Sequence, residues 1–394
     1  MDGVYYWDYL ALDELLDAQQ LASATEDTPG AHDEMLFIIV HQAYELWFKQ
    51  ILWELDALLD MFGGDAVDER DIGRAVAHLE RIREIQRVLL VQFDVLETMT
   101  PLDFLDFRDD LRPASGFQSV QFRMIENKLG LRRDRRMRIS GNPYTAVLRP
   151  EHAALVERSE AAPSLRDRLD AWLARTPFLS FDGFDFWSAY QGAVDAMLAA
   201  ERDVIATNPH LTPADRTSHL AEFDGAIETF ATLFDREQYA SLRAAGARQL
   251  SQEGFLAALL ISLYRDEPLL QMPFRLLTTL VDIDEGFTQF RQRHALMAHR
   301  MLGAKTGTGG TAGHRYLKAA ADKHAVFTDL FDLSTYCVPR SALPVLPPHV
   351  AEQLSFRWAG AGSGGVSSSG ASSAGAASSA AGSAGEAVPG STTS

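Results

Sequence analysis

Cysteine is almost absent from this sequence. A single thiol, Cys337, among 394 residues cannot form an internal disulfide, a zinc ribbon or a c-type haem attachment, and it suits a reducing compartment. A cytoplasmic location is therefore expected. Basic residues are also scarce: 36 Lys and Arg against 54 Asp and Glu leave a net charge of −18. Such a balance repels phosphate backbones and anionic lipid, so neither nucleic acid nor a membrane is an expected partner. Long hydrophobic runs are missing too. The strongest, FLAALLISLY from Phe255 to Tyr264, is about half of the roughly 20 residues that a bilayer span needs, and it reads as a buried helix. The N-terminus, MDGVYYWDYLALDELLDAQQ, lacks the basic region and unbroken apolar block of a secretion signal.

Several catalytic signatures are absent as well. There is no His-Glu-x-x-His, no Cys-x-x-Cys and no hydrolase elbow, and Cys337 within FDLSTYCVPR lacks the glycine loop of a thiolate-ligated haem protein. The stretch GAKTGTGG, Gly303 to Gly310, has the wrong order for a phosphate loop and follows a helical segment instead of preceding one. No self-similarity at a fixed period of tens of residues marks a solenoid.

What is present is helical. With 46% apolar residues the chain can bury a large core. Most segments between residues 33 and 300 repeat apolar positions at three- and four-residue spacing, so an all-α fold is predicted. Thr212-Pro213 places a capping hydroxyl ahead of a proline suited to the first turn, which starts a helix over ADRTSHLAEFDGAIETFATLF. The aromatic cluster Tyr5, Tyr6, Trp7, Tyr9 with Leu10 must be covered, by its own core or by a neighbouring subunit. From Ala359 onward Gly, Ser and Ala dominate and nothing offsets the entropy of ordering, so a disordered tail is expected. The chain thus divides into an arm over 1–30, a helical domain over 31–358 and a tail over 359–394.

Three segments could carry chemistry. In EMLFIIVHQAYELWFKQILWELDALL, from Glu34, the apolar character extends around most of the helix, marking it as central. Phe37, His41, Glu45 and Phe48 share one face, so His41 needs a partner, either a backbone carbonyl or Glu45, or else contacts a ligand. In FLDFRDDLRPASGFQSVQFRMIENKLG, a turn at Pro113, Ser115 and Gly116 separates two helical stretches. There Arg108 stands one turn after Phe104, where its fork could take an aromatic amino acid's carboxylate or pair with a neighbouring Asp. In FTQFRQRHALMAHRMLGAKTGTGGTAG, the residues Phe287, Phe290, His294, Met297 and Met301 form one stripe. His299, five residues after His294, is rotated away, so the pair cannot chelate one metal. A lone imidazole in such a setting suits the iron of a five-coordinate haem, or is an ordinary core histidine. The glycines around Thr306 and Thr308 would make a mobile segment able to fold over a ligand, or a plain linker.

Together FIIVHQAYELWFKQILWELD, SGFQSVQFRMIENKLG, RHALMAHRMLGAKTGTGGTAG and DLFDLSTYCVPR, in this order, closely resemble the tryptophan 2,3-dioxygenase family over roughly residues 5 to 345. The resemblance implies an all-α, cytoplasmic homotetramer with one haem b per subunit, converting L-tryptophan and O2 to N-formyl-L-kynurenine. It implies that His294 is the axial iron ligand and that His41, the catalytic candidate, hydrogen-bonds the indole N–H. It also implies that Arg108 holds the substrate carboxylate, that Thr308 meets the amino-acid head group, that Phe37 and Phe104 line the pocket, and that Ser115 lies by the haem edge. Tyr6, Tyr9 and Leu10 would belong to an arm that closes a neighbour's pocket. Position 104 is Phe where some members carry Tyr, and position 299 is His where others differ. A relative oxidising a modified tryptophan in secondary metabolism, or a haem-binding sensor, would share these features.

Overall fold

Helix-favouring residues at three- and four-residue spacing, capped by short polar side chains, build nearly all of the regular structure. A computed structural model describes residues 3–355, except 65, 139–141, 182, 304 and 306–312, and without the side chains of 178, 226, 313–316 and 322. The segment carrying Thr308 and the tail expected from 359 lie outside the described residues. In chain order the helices are α1 (Tyr6–Tyr9), α2 (Leu12–Leu16), α3 (His32–Met61), α4 (Glu69–Leu96), α5 (Pro101–Leu105), α6 (Val120–Leu129), α7 (Pro150–Ala161) and α8 (Leu165–Leu173). They continue with α9 (Phe186–Thr207), α10 (Pro213–Phe234), α11 (Arg236–Ala244), α12 (Gln252–Leu263), α13 (Pro268–Leu302), α14 (Gly313–Lys323), α15 (Thr328–Asp332) and α16 (Pro348–Leu354). The fold is all-α, as its periodicity predicts. The only strands among the described residues are a two-residue antiparallel pair, Ser180–Phe181 with Phe184–Asp185, turned by Gly183 at φ +81°.

The caps follow the residue types. Thr212 accepts the amide of Asp215 ahead of Pro213, as expected for α10, and Thr100 forms a reciprocal box with Asp103 at the start of α5. Helix α12, which carries the FLAALLISLY run, is buried along nearly its whole length. No helix among the described residues is long and apolar enough to cross a membrane.

Helix α13 is the organising element, packing against α4 on one side and α14 on another. Its approach to α4 is close because Gly286 carries no side chain: a Cβ there would meet Gln86 Oε1 at 2.5 Å. Gln86 fills that space and donates to the Ile283 carbonyl at 2.9 Å. The contact locks one face of α13 against α4, so that residues on the neighbouring face open toward α3 and α6.

Two expectations need amendment. Helix α3 is not enclosed on all sides within one chain, since Met35, Ile39 and Leu46 are exposed and Trp53 is 74% exposed. The aromatic cluster near the N-terminus is not covered by the described residues of its own chain either: Tyr6 is 70% and Tyr9 75% exposed, with Tyr5, Trp7 and Leu10 exposed beside them. The segment that follows is nevertheless tied down. Buried Glu34 accepts the amides of Ala22 and Ser23 at 2.7 and 3.0 Å, and Gln42 donates to the Ala18 carbonyl at 3.2 Å.

Candidate active site

Helices α3, α6, α13 and α14 enclose a cavity of about 280 Å³, with the α5–α6 turn at its edge. Phe37, His41, Phe104, Ser115 and His294, to which the resemblance gives site roles, all line it. They come from three separate stretches of chain.

His41 lies on α3, where helical geometry sets its ring back over Phe37, with the ring centroids 4.0 Å apart. Its Nδ1 is 2.7 Å from the Phe37 carbonyl oxygen. A carbonyl can only accept, so Nδ1–H donates and the Nε2 lone pair is left as an acceptor. His41 therefore has the backbone carbonyl as its partner, and it also fronts the cavity. Burial lowers its pKa, opposed by the Phe37 bond and the charge of Glu45. The ring keeps accessible surface only because it faces open space, while surrounding protein atoms still desolvate it. Phe104 stacks against Phe37 at 5.8 Å, and Phe107 meets both edge-on.

His294 occupies the α13 stripe with Phe290, Met297 and Met301, all of which line the cavity. Its ring neighbours are Phe93 at 6.2 Å and Phe290 at 6.3 Å. Burial, reinforced by nearby His41, pushes its pKa down to about 4. The imidazole is thus neutral at physiological pH, the state in which it can donate a lone pair to a metal. No three His, Cys, Asp or Glu among the described residues are grouped as a metal site. One neutral imidazole in a cavity walled by Phe and Met side chains is a donor set that fits a planar metal cofactor carrying its other ligands with it.

Ser115 caps the turn before α6, accepting from the Phe117 amide at 3.3 Å, while its own amide donates to Gln118 Oε1 at 3.2 Å. Its side chain lies on the cavity wall. Arg108 is buried one turn after Phe104, but it is not among the residues lining the cavity, and its Nη1 lies 3.7 Å from Asp109 Oδ1. Tyr6, Tyr9 and Leu10 are not among the residues lining the cavity.

Charged and imidazole side chains of the site that were not singled out in the sequence are Arg123 and Glu126 on α6, Arg291 on α13, and His324 just past α14. Arg291 could have been found, because it precedes His294 by three positions and so shares its face. Arg123 and Glu126 carry an i, i+3 charge pairing that usually marks a solvated surface. His324, within AAADKHAVF, offers no local signal. Burial would raise the Glu126 carboxyl, but Arg123, Arg136, the His324 hydrogen bond and Arg291 outweigh it and hold the group well below the carboxylate range.

Comparison with known proteins points one way. A family model described as tryptophan 2,3-dioxygenase matches residues 1–337. A tryptophan 2,3-dioxygenase of Bdellovibrio bacteriovorus is 49% identical, over 90% of this chain and 99% of the relative. Those of Xenopus laevis and Dictyostelium discoideum are 46% and 44% identical, over 88% and 91% of this chain and 86% and 89% of theirs. The chain belongs to the tryptophan 2,3-dioxygenase family.

Proposed function

We propose that this chain is a haem-dependent dioxygenase that opens the indole ring of L-tryptophan at C2–C3, inserting both atoms of O2 to give N-formyl-L-kynurenine. The observation that carries the reading is the pairing of His41 and His294 on one aromatic-walled cavity, where burial lowers the pKa of both. When bound, haem b supplies O2 binding and the oxidising chemistry of its iron. His294 would hold that iron as its one protein ligand.

The protein's share is binding and orientation. His41, with Nδ1–H committed to the Phe37 carbonyl, presents Nε2 to accept the indole N–H. Phe37 and Phe104 would flank the ring, and the aromatic wall excludes water that would compete for the same hydrogen bonds. Arg108 lies close behind Phe104 and would grip the carboxylate with its fork, after turning from its long-range contact with Asp109. Thr308 would complete the hold on the amino-acid head group, and Ser115 would serve the cofactor edge.

The exposed Tyr6, Tyr9 and Leu10 favour a homotetramer in which the arm, residues 1–30, closes a neighbour's cavity, since one chain leaves these side chains uncovered. The helical domain over 31–358, the tail over 359–394 and a cytoplasmic location complete the reading. The deciding experiment is anaerobic reduction of the haem-loaded protein followed by tryptophan and O2. A product heavier than the substrate by two oxygen atoms is expected; a gain of one oxygen, or no turnover, overturns the proposal.

A further inference from the structure

Two buried arginines take no part in the chemistry described so far. Arg123 and Arg291 are each only 6% exposed, and both line the cavity that holds His294. With Arg136 they surround one carboxylate. Glu126 Oε2 accepts Arg123 Nη1 at 2.8 Å and Arg136 Nη1 at 2.6 Å, while Oε1 accepts Arg291 Nη2 at 2.9 Å and faces His324 Nδ1 at 3.4 Å. Three guanidinium charges against one carboxylate leave two positive charges in excess. Burial keeps His324 from adding a third.

Among the described residues, the surroundings do not supply the missing anion. Asp284 is the next acid near Arg291, but it accepts the amides of Val326 and Phe327, each at 2.8 Å, and burial raises its carboxyl pKa. Counting it as fully charged still leaves one positive charge over. Glu45, the other acid on the cavity wall, accepts from Gln121 at 2.8 Å. Donors are in excess as well as charge. Among the described residues, Nε and Nη1 of Arg291 and Nε of Arg123 are buried without an acceptor. Buried charged donors without an acceptor are strongly unfavourable, so this cluster is built for a ligand that brings the anion with it.

Position narrows the ligand's identity. Arg291 precedes His294 by one turn on the same face of α13, so whatever His294 holds passes next to this guanidinium. Arg136 stays behind the pair, donating to the Asn127 carboxamide oxygen and lying 4.3 Å over the Tyr144 ring. It holds Glu126 in place, and it does not line the cavity. Resting on the haem reading above, we infer that Arg123 and Arg291 anchor the propionate carboxylates of the porphyrin held by His294. Their planar forks match a carboxylate edge, and Glu126 keeps the two guanidinium groups from repelling each other apart.

The test compares hemin with hemin dimethyl ester, which differs only in having both carboxylates blocked. The full-length apoprotein is loaded with each, and loss to excess apomyoglobin is followed in the Soret band. The ester is expected to leave at least about tenfold faster. Arg123→Met and Arg291→Met should each narrow that ratio, while Arg300→Met, on the exposed end of α13, should preserve it. If the buried variants fail to fold by circular dichroism, the ratio in the unaltered protein decides alone. Equal loss of hemin and ester removes the propionate anchor and leaves the haem reading standing. Failure to bind hemin at all removes both. If Arg123→Met instead raises the tryptophan concentration for half-saturation while the ester ratio is close to one, the pair serves the substrate and the inference is overturned.

Discussion

The imidazoles of His41 and His294 open onto one cavity from α3 and α13, and each is held neutral by its surroundings. Burial is the larger cause for both, and the proximity of His41 lowers His294 further. Two imidazoles facing one cavity is an arrangement that a metal and a hydrogen-bonding substrate can share, one imidazole each.

Replacing His294 with Ala removes the only cavity imidazole placed on the Met and Phe stripe of α13. The variant is expected to lose the five-coordinate haem spectrum and turnover together. A normal Soret band with retained activity would remove this ligand assignment.

His41 acts through Nε2, so its contribution depends on the indole N–H. His41→Phe should lower kcat/KM for tryptophan by about ten- to a hundredfold, the loss of one hydrogen bond in a closed site. The same variant should barely change kcat/KM for N1-methyltryptophan, which has no proton to donate. Equal losses on the two substrates would show that His41 does something other than orient the ring.

Arg108→Lys keeps the charge and loses the fork. The tryptophan concentration for half-maximal rate should rise by about tenfold or more. Asp109→Asn, which removes the 3.7 Å neighbour, should leave that concentration nearly unchanged. An unaltered value in the lysine variant would argue against carboxylate clamping.

Glu126 governs the acid limb of stability. Its folded pKa lies below the ordinary value of 4.5, so its contribution is full above that value and is lost as pH falls through the folded pKa. Glu126→Gln is expected to destabilise the apoprotein at neutral pH by about 3–5 kcal/mol, because three buried guanidinium groups lose their carboxylate. Urea melts should show the deficit shrinking below pH 4.5. A deficit independent of pH would mean that the carboxyl titrates alike in the folded and unfolded chains and gains nothing from its arginines.

Deleting residues 359–394 should leave both haem binding and turnover intact, since Gly, Ser and Ala dominate there and Glu386 is the only charged side chain. A truncated protein with the normal Soret band and no activity would assign the tail a role.

Much of the molecule was legible in advance, for reasons of periodicity. The α10 start at Thr212-Pro213, the buried α12 and the stripe of α13 all follow from side chains interacting within a few residues of one another. His41 was half legible: its need for a partner was clear, but whether a carbonyl or Glu45 served depended on where the ring turned. The Arg123, Glu126, Arg291 and His324 cluster was not legible, because i, i+3 charge pairs look the same on a wet surface and in a buried site.

The sequence by itself determined the helical class, the positions of the main caps and the types of side chain offered to a ligand, since these depend on local propensity and on chemical identity. Tertiary packing alone decided which of those side chains meet. Gly286 against Gln86 sets α13 on α4, and packing of α13 beside α6 brings Arg291 to the carboxylate that Arg123 and Arg136 also reach, leaving Glu126 alone among three guanidinium groups. It also decided that the Tyr6 and Tyr9 rings find no cover in their own chain, because burial is a property of the surfaces that helices leave open after packing, and no stretch of residues encodes that alone.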